Sequence, residues 1–343
     1  MPAWSAVPAA DALGAGVTRS PGRLAGRGVV AGCGDIARFP YHGAVDRLTL
    51  MTVHAHPDDE SSKGPATVAR YHAEGVYTVL VTATGGEQGD ILNPAMNLPG
   101  IKDRIGEVRR GELDEAVRVI GYDELVLLGY RDSGMPDSPA NADPRSFAQA
   151  PLDEAVGRLV AAIRRTRPQV IVTYPKDQSG YPHPDHLRVN EISEIAFDAA
   201  GDPDLYPDAG DPWQPSKLYY VSWSVRQMRA THDKFLELGL ESPFDDARLA
   251  RFSAAIEAEA NRTDPLTIID VTGYTPVRRA ALLAHRTQVD PTSSHWFGLP
   301  DEVAETLYPY DEYVLVRDLT GGPADDDQAD SDLFAGIRTA VNR

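Results

Sequence analysis

Four short stretches of the chain are apolar almost without a break: residues 47–54, 76–83, 124–128 and 169–174. A strand with one wet face alternates polar and apolar residues. Near-continuous runs rich in Val and Leu belong instead to strands covered on both faces, the situation of a parallel sheet. Helical patterns fall between the runs, at 62–74, 101–120 and 152–167. In the second of these, Ile105, Val108, Ala116, Val117 and Ile120 lie near one face. Pro168 stops the third. Alternating strands and helices admit few arrangements. They predict an α/β fold, Rossmann-like, with three layers (α/β/α) and a mostly parallel sheet.

That pattern begins at Asp46 and holds to about residue 200, so residues 46–200 are expected to form the catalytic domain. Residues 1–45 are rich in Ala, Gly, Pro and Arg without a period and read as a disordered leader. Gly26, Gly28 and Gly32 approach a dinucleotide fingerprint, but the last interval is one residue too long and no strand precedes it. After residue 200 we expect strands at 217–223 and 312–316, helices around 225–239, 245–261 and 275–287, and an acidic loop at 321–332. Residues 201–343 thus read as a smaller C-terminal α+β extension that binds substrate.

Charge and cysteine usage narrow the function. With 51 acidic against 33 basic residues the net charge is −18, which argues against nucleic acid or an anionic membrane as main partner. Cys33 is the single cysteine, so no internal disulfide and no Cys-rich metal site can form. This fits a reducing, cytoplasmic location. No run approaches the ~20 apolar residues of a membrane span, and no secretory signal pattern opens the chain. A homo-oligomer remains open.

In a parallel α/β sheet, function collects at the carboxyl ends of the strands. The chemically dense segments fall there: His56-Pro-Asp-Asp-Glu60, Thr84-Gly-Gly-Glu-Gln-Gly-Asp90, Arg131-Asp-Ser-Gly134 and the stretch 174–186. His56 and Asp59, three apart at a strand-to-helix turn, can point at one ion, and His186 from the fourth loop completes a His/Asp/His set. Three protein ligands with an open position are the pattern of catalytic zinc. The mixed N/O shell without thiolate favours Zn2+, with Fe2+ as the alternative. Asp58 and Asp59 cannot both be comfortable ligands. One can bind the ion while the other takes a proton from water. His183, if protonated, would stabilise a tetrahedral oxyanion or donate to a leaving amine, and Tyr181 could supply a further donor. Asp132 is expected to orient His183 and to raise its pKa. Against this stands the bland reading, in which Asp58, Asp59 and Glu60 decorate a helix N-terminus and the histidines are ordinary loop residues.

The segments His54-Ala-His-Pro-Asp-Asp-Glu-Ser-Ser-Lys-Gly64, Thr84-Gly-Gly-Glu-Gln-Gly-Asp-Ile-Leu-Asn-Pro-Ala-Met96, Gly180-Tyr-Pro-His-Pro-Asp-His186 and Ser216-Lys-Leu-Tyr-Tyr220 resemble the LmbE-like, or PIG-L, N-acetylglucosaminyl deacetylase superfamily. Within it they look most like the branch of mycothiol S-conjugate amidases. Gln288-Val-Asp-Pro291 and Asp332-Leu-Phe-Ala-Gly-Ile337 are similar as well. The resemblance implies a Rossmann-like zinc hydrolase in which His56, Asp59 and His186 bind zinc, Asp58 is the general base, and His183 and Tyr181 assist at the tetrahedral intermediate. It implies a small thiol-glycoside conjugate as substrate, cleaved at its amide to a mercapturic-acid-type product and glucosaminyl-inositol. Lys63 would help bind the conjugate, Arg104 and Asp90 would lie toward the sugar–inositol part, and Glu87 is a further substrate-binding candidate. The chain departs from the family pattern at Pro175-Lys-Asp-Gln-Ser179 and over 131–150, both beside the site, so substrate preference can differ.

Three other readings compete. A de-N-acetylase acting on N-acetylglucosaminyl-inositol would use the same metal and base. A catalytically silent binding protein would not need every catalytic side chain, yet all are present. A nicotinamide-dependent oxidoreductase would need a glycine fingerprint after the first strand, where His-Pro-Asp-Asp stands instead.

Overall fold

The computed structural model describes residues 47–177, 182–222, 224–244, 249–250, 266–321 and 331–338. The leader at 1–45, Tyr181, nearly all of 245–261 and most of the acidic loop lie outside them. Seven strands make one sheet in the order β3-β2-β1-β4-β5-β7-β6. They are β1 (Thr49–His54), β2 (Tyr77–Thr84), β3 (Glu124–Tyr130), β4 (Val170–Thr173), β5 (Lys217–Val221), β6 (Leu266–Asp270) and β7 (Tyr310–Asp318). The pairs β3–β2, β2–β1, β1–β4 and β4–β5 are parallel. Strand β7 is antiparallel to both its neighbours.

The helices are α1 (Asp59–Ser62), α2 (Pro65–Ala73), α3 (Ile105–Ile120), α4 (Leu152–Thr166), α5 (Pro184–Ala199), α6 (Val225–Glu237), α7 (Thr275–Ala284), α8 (Ser294–Phe297) and α9 (Asp301–Leu307). The strand order explains their layers. Moving β1 to β2 to β3 with right-handed crossovers puts α2 and α3 on one face. Returning across β1 to β4 and on to β5 puts α4 and α5 on the other. Helices α4 and α5 pack together, and α7 packs on α2 and α3. This is the three-layer α/β fold, and all six residues of the central β1 are buried. No helix among the described residues is long and apolar enough to cross a membrane.

The structure adds what local pattern did not reveal. The expected helix 62–74 is two helices, because Gly64 sits at φ 80 between them and Pro65 restarts the turn. Strand β6 was not expected; Thr-Asp-Pro precedes its five residues, too short a run to stand out. On α3 the buried face carries Ile105, Arg109, Glu112, Leu113, Ala116 and Ile120, while Val108 and Val117 sit at its border. Two charged residues on a core-facing stripe are costly unless paired: Arg109 reaches Asp58, and Glu112 accepts the backbone N–H and hydroxyl of Thr287.

Candidate metal centre

The strand order reverses between β1 and β4, so the loops after these strands open a crevice at their carboxyl ends. His56 follows β1. His183 caps the N-terminus of α5 after β4, and His186 lies in its first turn. The crevice thereby unites the two distant stretches. Nitrogen or oxygen atoms of His56, Asp59 and His186 all lie within 4.8 Å of one another, as do those of a second, overlapping group, His56, Asp132, His183 and Asp185. All six residues are buried.

Asp59 is the hinge of the first group. Its Oδ2 accepts the His56 backbone N–H at 2.9 Å and stands 3.4 Å from His56 Nδ1 and 3.5 Å from His186 Nε2. Its Oδ1 receives Lys63 Nζ at 2.5 Å. Burial alone would push the Asp59 carboxyl up, but Lys63 and the two histidines hold it well below its ordinary range. Around His56 the balance is opposite. Burial opposes its charge, yet Asp132, Asp185 and Asp59 together raise its pKa well above the ordinary value. Three carboxylates around one buried imidazole make a pocket that favours positive charge. Imidazole and carboxylate donors converging from three residues suit a divalent cation with an open position.

Asp58 stands beside this group in a left-handed conformation, φ 106 and ψ −23, rare for a residue with a side chain. Arg109 holds it: the guanidinium donates to the Pro57 carbonyl, to Asp58 Oδ2 at 3.0 Å and to the Gly86 carbonyl at 2.8 Å. Gly86 itself has φ 67, and a Cβ there would collide with the guanidinium, so only glycine lets Arg109 through. Burial pushes the Asp58 carboxyl up, Arg109 draws it down and Asp59 adds to the rise; the net direction is upward.

His183 departs from expectation. Burial, then the charge of His56, lower its imidazole to about 4, against a smaller upward pull from Asp132. Asp132 does pull the imidazole upward as expected, but desolvation outweighs it. His183 Nδ1 accepts the Asp185 backbone N–H at 3.2 Å. The neutral ring thus carries its proton on Nε2. Asp132 accepts the N–H groups of Gln88 (3.1 Å) and Gly134 (2.7 Å), and its Oδ1 lies 3.6 Å from His56 Nε2. Asp185, quoted within the His-Pro-Asp-His motif but given no role, is fully buried. It accepts Ser133 N and Ser133 Oγ and lies 3.2 Å from His56 Nε2.

The outer residues divide. Lys63 is turned inward onto Asp59 and lies 5.6 Å over the Tyr174 ring. Glu87 accepts the Asp132 backbone N–H at 2.9 Å, which ties the second loop to the third. Asp90 and Arg104 are exposed and paired locally, to Lys102 at 3.1 Å and Glu107 at 3.8 Å. The structure does not draw them into the cluster. Sequence reasoning missed Tyr174, which stacks on His186 and accepts the Ala55 N–H at 2.9 Å, and missed Arg109 and His285. The available signals were a tyrosine ending a buried strand and an arginine on the apolar stripe of α3.

Residues 51–197 match the family model described as PIG-L: GlcNAc-PI de-N-acetylase. A protein of Streptomyces coelicolor named mycothiol S-conjugate amidase is 44% identical over 299 residues, 85% of this chain and 98% of the relative. The chain belongs to the PIG-L family. It is accordingly a hydrolase of the amidase/deacetylase kind, with a buried His/Asp cluster able to hold a metal ion. A second PIG-L relative, from Streptomyces avermitilis, is 40% identical over 84% of this chain and 97% of its own length, and is named 1D-myo-inositol 2-acetamido-2-deoxy-alpha-D-glucopyranoside deacetylase. The N,N'-diacetylchitobiose deacetylase of Pyrococcus horikoshii aligns with TM-score 0.50 at 16% identity, over 81% of this chain and 88% of that one, a likeness of fold.

Proposed function

We propose that the chain is a zinc hydrolase that cleaves the amide of mycothiol S-conjugates, releasing a mercapturic-acid-type conjugate and glucosaminyl-inositol. The observation that carries this reading is the convergence of His56, Asp59 and His186 beside Asp58. The name and 44% identity of the Streptomyces coelicolor relative support the substrate. His56, Asp59 and His186 would hold the ion. When bound, it polarises the scissile carbonyl and eases deprotonation of water.

The remaining steps fall to the chain's own groups. Asp58 acts as general base, taking a proton from the attacking water and returning it to the leaving amine. A carboxyl raised toward working pH is the better base, and Arg109 fixes where it points. His183 donates a hydrogen bond to the developing oxyanion; Tyr181 would add a second donor. Asp132 and Asp185 hold the His56 ring in place. Lys63 and Glu87 would contact the conjugate, while Asp90 and Arg104, outside the cluster, would lie toward its sugar–inositol half. Residues 201–343 would serve as the substrate-binding extension, and the lone Cys33 fits work in a reducing cytoplasm.

The second reading, de-N-acetylation of N-acetylglucosaminyl-inositol, is favoured by the name of the Streptomyces avermitilis relative at 40% identity. Zinc-loaded protein given a bimane conjugate of mycothiol and, in parallel, N-acetylglucosaminyl-inositol separates them. Amine release from the conjugate should outpace acetate release. The reverse order selects the deacetylase, and no turnover of either substrate removes both.

A further inference from the structure

Glu60 closes the His-Pro-Asp-Asp-Glu segment, and no step described above uses it. Its carboxylate is fully buried. Oε2 accepts the Asp58 backbone N–H at 2.9 Å. Oε1 accepts Ser61 Oγ at 2.6 Å and meets His285 Nε2 at 2.6 Å. His285 follows the last turn of α7, 225 residues further along the chain, and is likewise fully buried. Its other ring nitrogen, Nδ1, is buried without a hydrogen-bond partner. A buried imidazole that leaves one nitrogen unsatisfied to reach one carboxylate is not there for general packing.

Asp58 needs what this contact provides. A non-glycine residue at φ 106 persists only where its surroundings over-determine it. Two grips do so. Arg109 takes the Pro57 carbonyl and the Asp58 carboxylate. Glu60 takes the Asp58 N–H. Arg109 is steadied by Gly86; Glu60 is steadied from the far end of the chain by His285.

We infer that His285 is a positioning residue: by fixing Glu60 it holds the Asp58 turn, and so the Asp58 carboxylate, in the geometry the reaction needs. The inference rests on the proposed role of Asp58 as base. It gives the C-terminal segment a part in catalysis without contact with substrate.

Two measurements test it. In zinc-loaded protein, His285→Ala should keep its zinc and a KM within about 3-fold, while kcat falls ~10–100-fold, the usual scale for losing a supporting partner. His285→Gln, whose amide can reach Glu60, should recover kcat to within about 3-fold. Unchanged kcat in His285→Ala, or no rescue by Gln, overturns the inference. The second measurement needs no substrate. Asp58→Gly removes the backbone strain, so His285→Ala should lower Tm less in the Asp58→Gly protein than in the parent. Equal losses in the two backgrounds reduce the pair to a strut and overturn the inference. Should His285→Ala not fold, His285→Phe, which keeps the ring and removes the donor, carries the same cycle. If the parent protein turns over neither conjugate nor N-acetyl substrate, the proposed function fails, while the Tm cycle still decides whether His285 supports the Asp58 turn.

Discussion

The His186 imidazole lies flat on the phenol of Tyr174, ring centroids 4.5 Å apart and planes within 7°. The same Tyr174 hydroxyl accepts the Ala55 N–H at 2.9 Å and lies 3.3 Å from His54 Nδ1. One side chain thereby sets the angle of the His186 ring and braces the turn before His56. Tyr174→Phe keeps the stack and loses the hydroxyl. Zinc affinity, read by competition with a chelator, should weaken about 10-fold, within the range for such supporting partners. Unchanged affinity would mean the hydroxyl serves the strand end alone.

Asp58→Ala should separate binding from chemistry. His56, Asp59 and His186, the donors proposed above, all remain, so zinc content should stay at the parent level. Loss of a general base costs roughly 10²–10⁴ in turnover. A variant that retains both zinc and kcat removes Asp58 from the mechanism.

Arg109 should matter to both stability and activity. Arg109→Lys replaces a fork that meets three oxygens with a single ammonium that cannot span them. We expect a loss of about 3 kcal/mol from the orphaned buried acceptors, measured by chemical denaturation, together with a lowered kcat. Gly86→Ala, which pushes a Cβ against that guanidinium at φ 67, should reproduce the phenotype.

Arg164 offers a control for effects remote from the crevice. It ends α4 and donates to the carbonyls of Ala199, Ala200, Asp202, Leu205, Tyr206 and Gly210. Helix α4 runs back toward the amino ends of the strands, so this cage sits at the edge away from the site. Arg164→Ala should cost about 3 kcal/mol and leave kcat of the remaining folded protein at the parent value.

Acid should loosen the segment 331–338. Asp332 accepts Tyr71 Oη at 2.9 Å, Phe334 N at 3.0 Å and Arg338 Nε at 2.7 Å. Burial raises its pKa, but Arg338 and these donors outweigh burial and the net shift is downward. A depressed carboxyl stabilises the fold above its unfolded pKa of about 3.9, and that contribution is lost as pH falls through the folded value. Asp332→Asn should therefore lower Tm at pH 6 and differ less from the parent near pH 3.

The central fold was legible because burial leaves a local trace. Strands β1, β2 and β4 announce themselves as unbroken apolar runs, and α4 by its period and Pro168. The residues that cluster at the crevice were legible for a related reason: His56 and Asp59 lie three apart, and His183 and His186 three apart, each in one short loop. Strand β6 and the placement of β7 between β5 and β6 were not legible. Five unremarkable residues carry little signal, and antiparallel insertion at a sheet edge is a choice of partner rather than of pattern. How strongly burial opposes charge on His183 was not legible, because burial is a property of the surroundings and not of the residue.

By itself, the sequence determined which segments form the central strands and their connecting helices, and which ends of those strands carry the chemically dense loops. Those properties depend on neighbours a few residues away. Only the tertiary structure decided that Arg109 would reach Asp58 across 51 residues, that Tyr174 would lie on His186, and that His285 would close on Glu60 across 225. Such contacts follow from how helices and strands pack in three dimensions, and local periodicity records that an element is buried without recording against what.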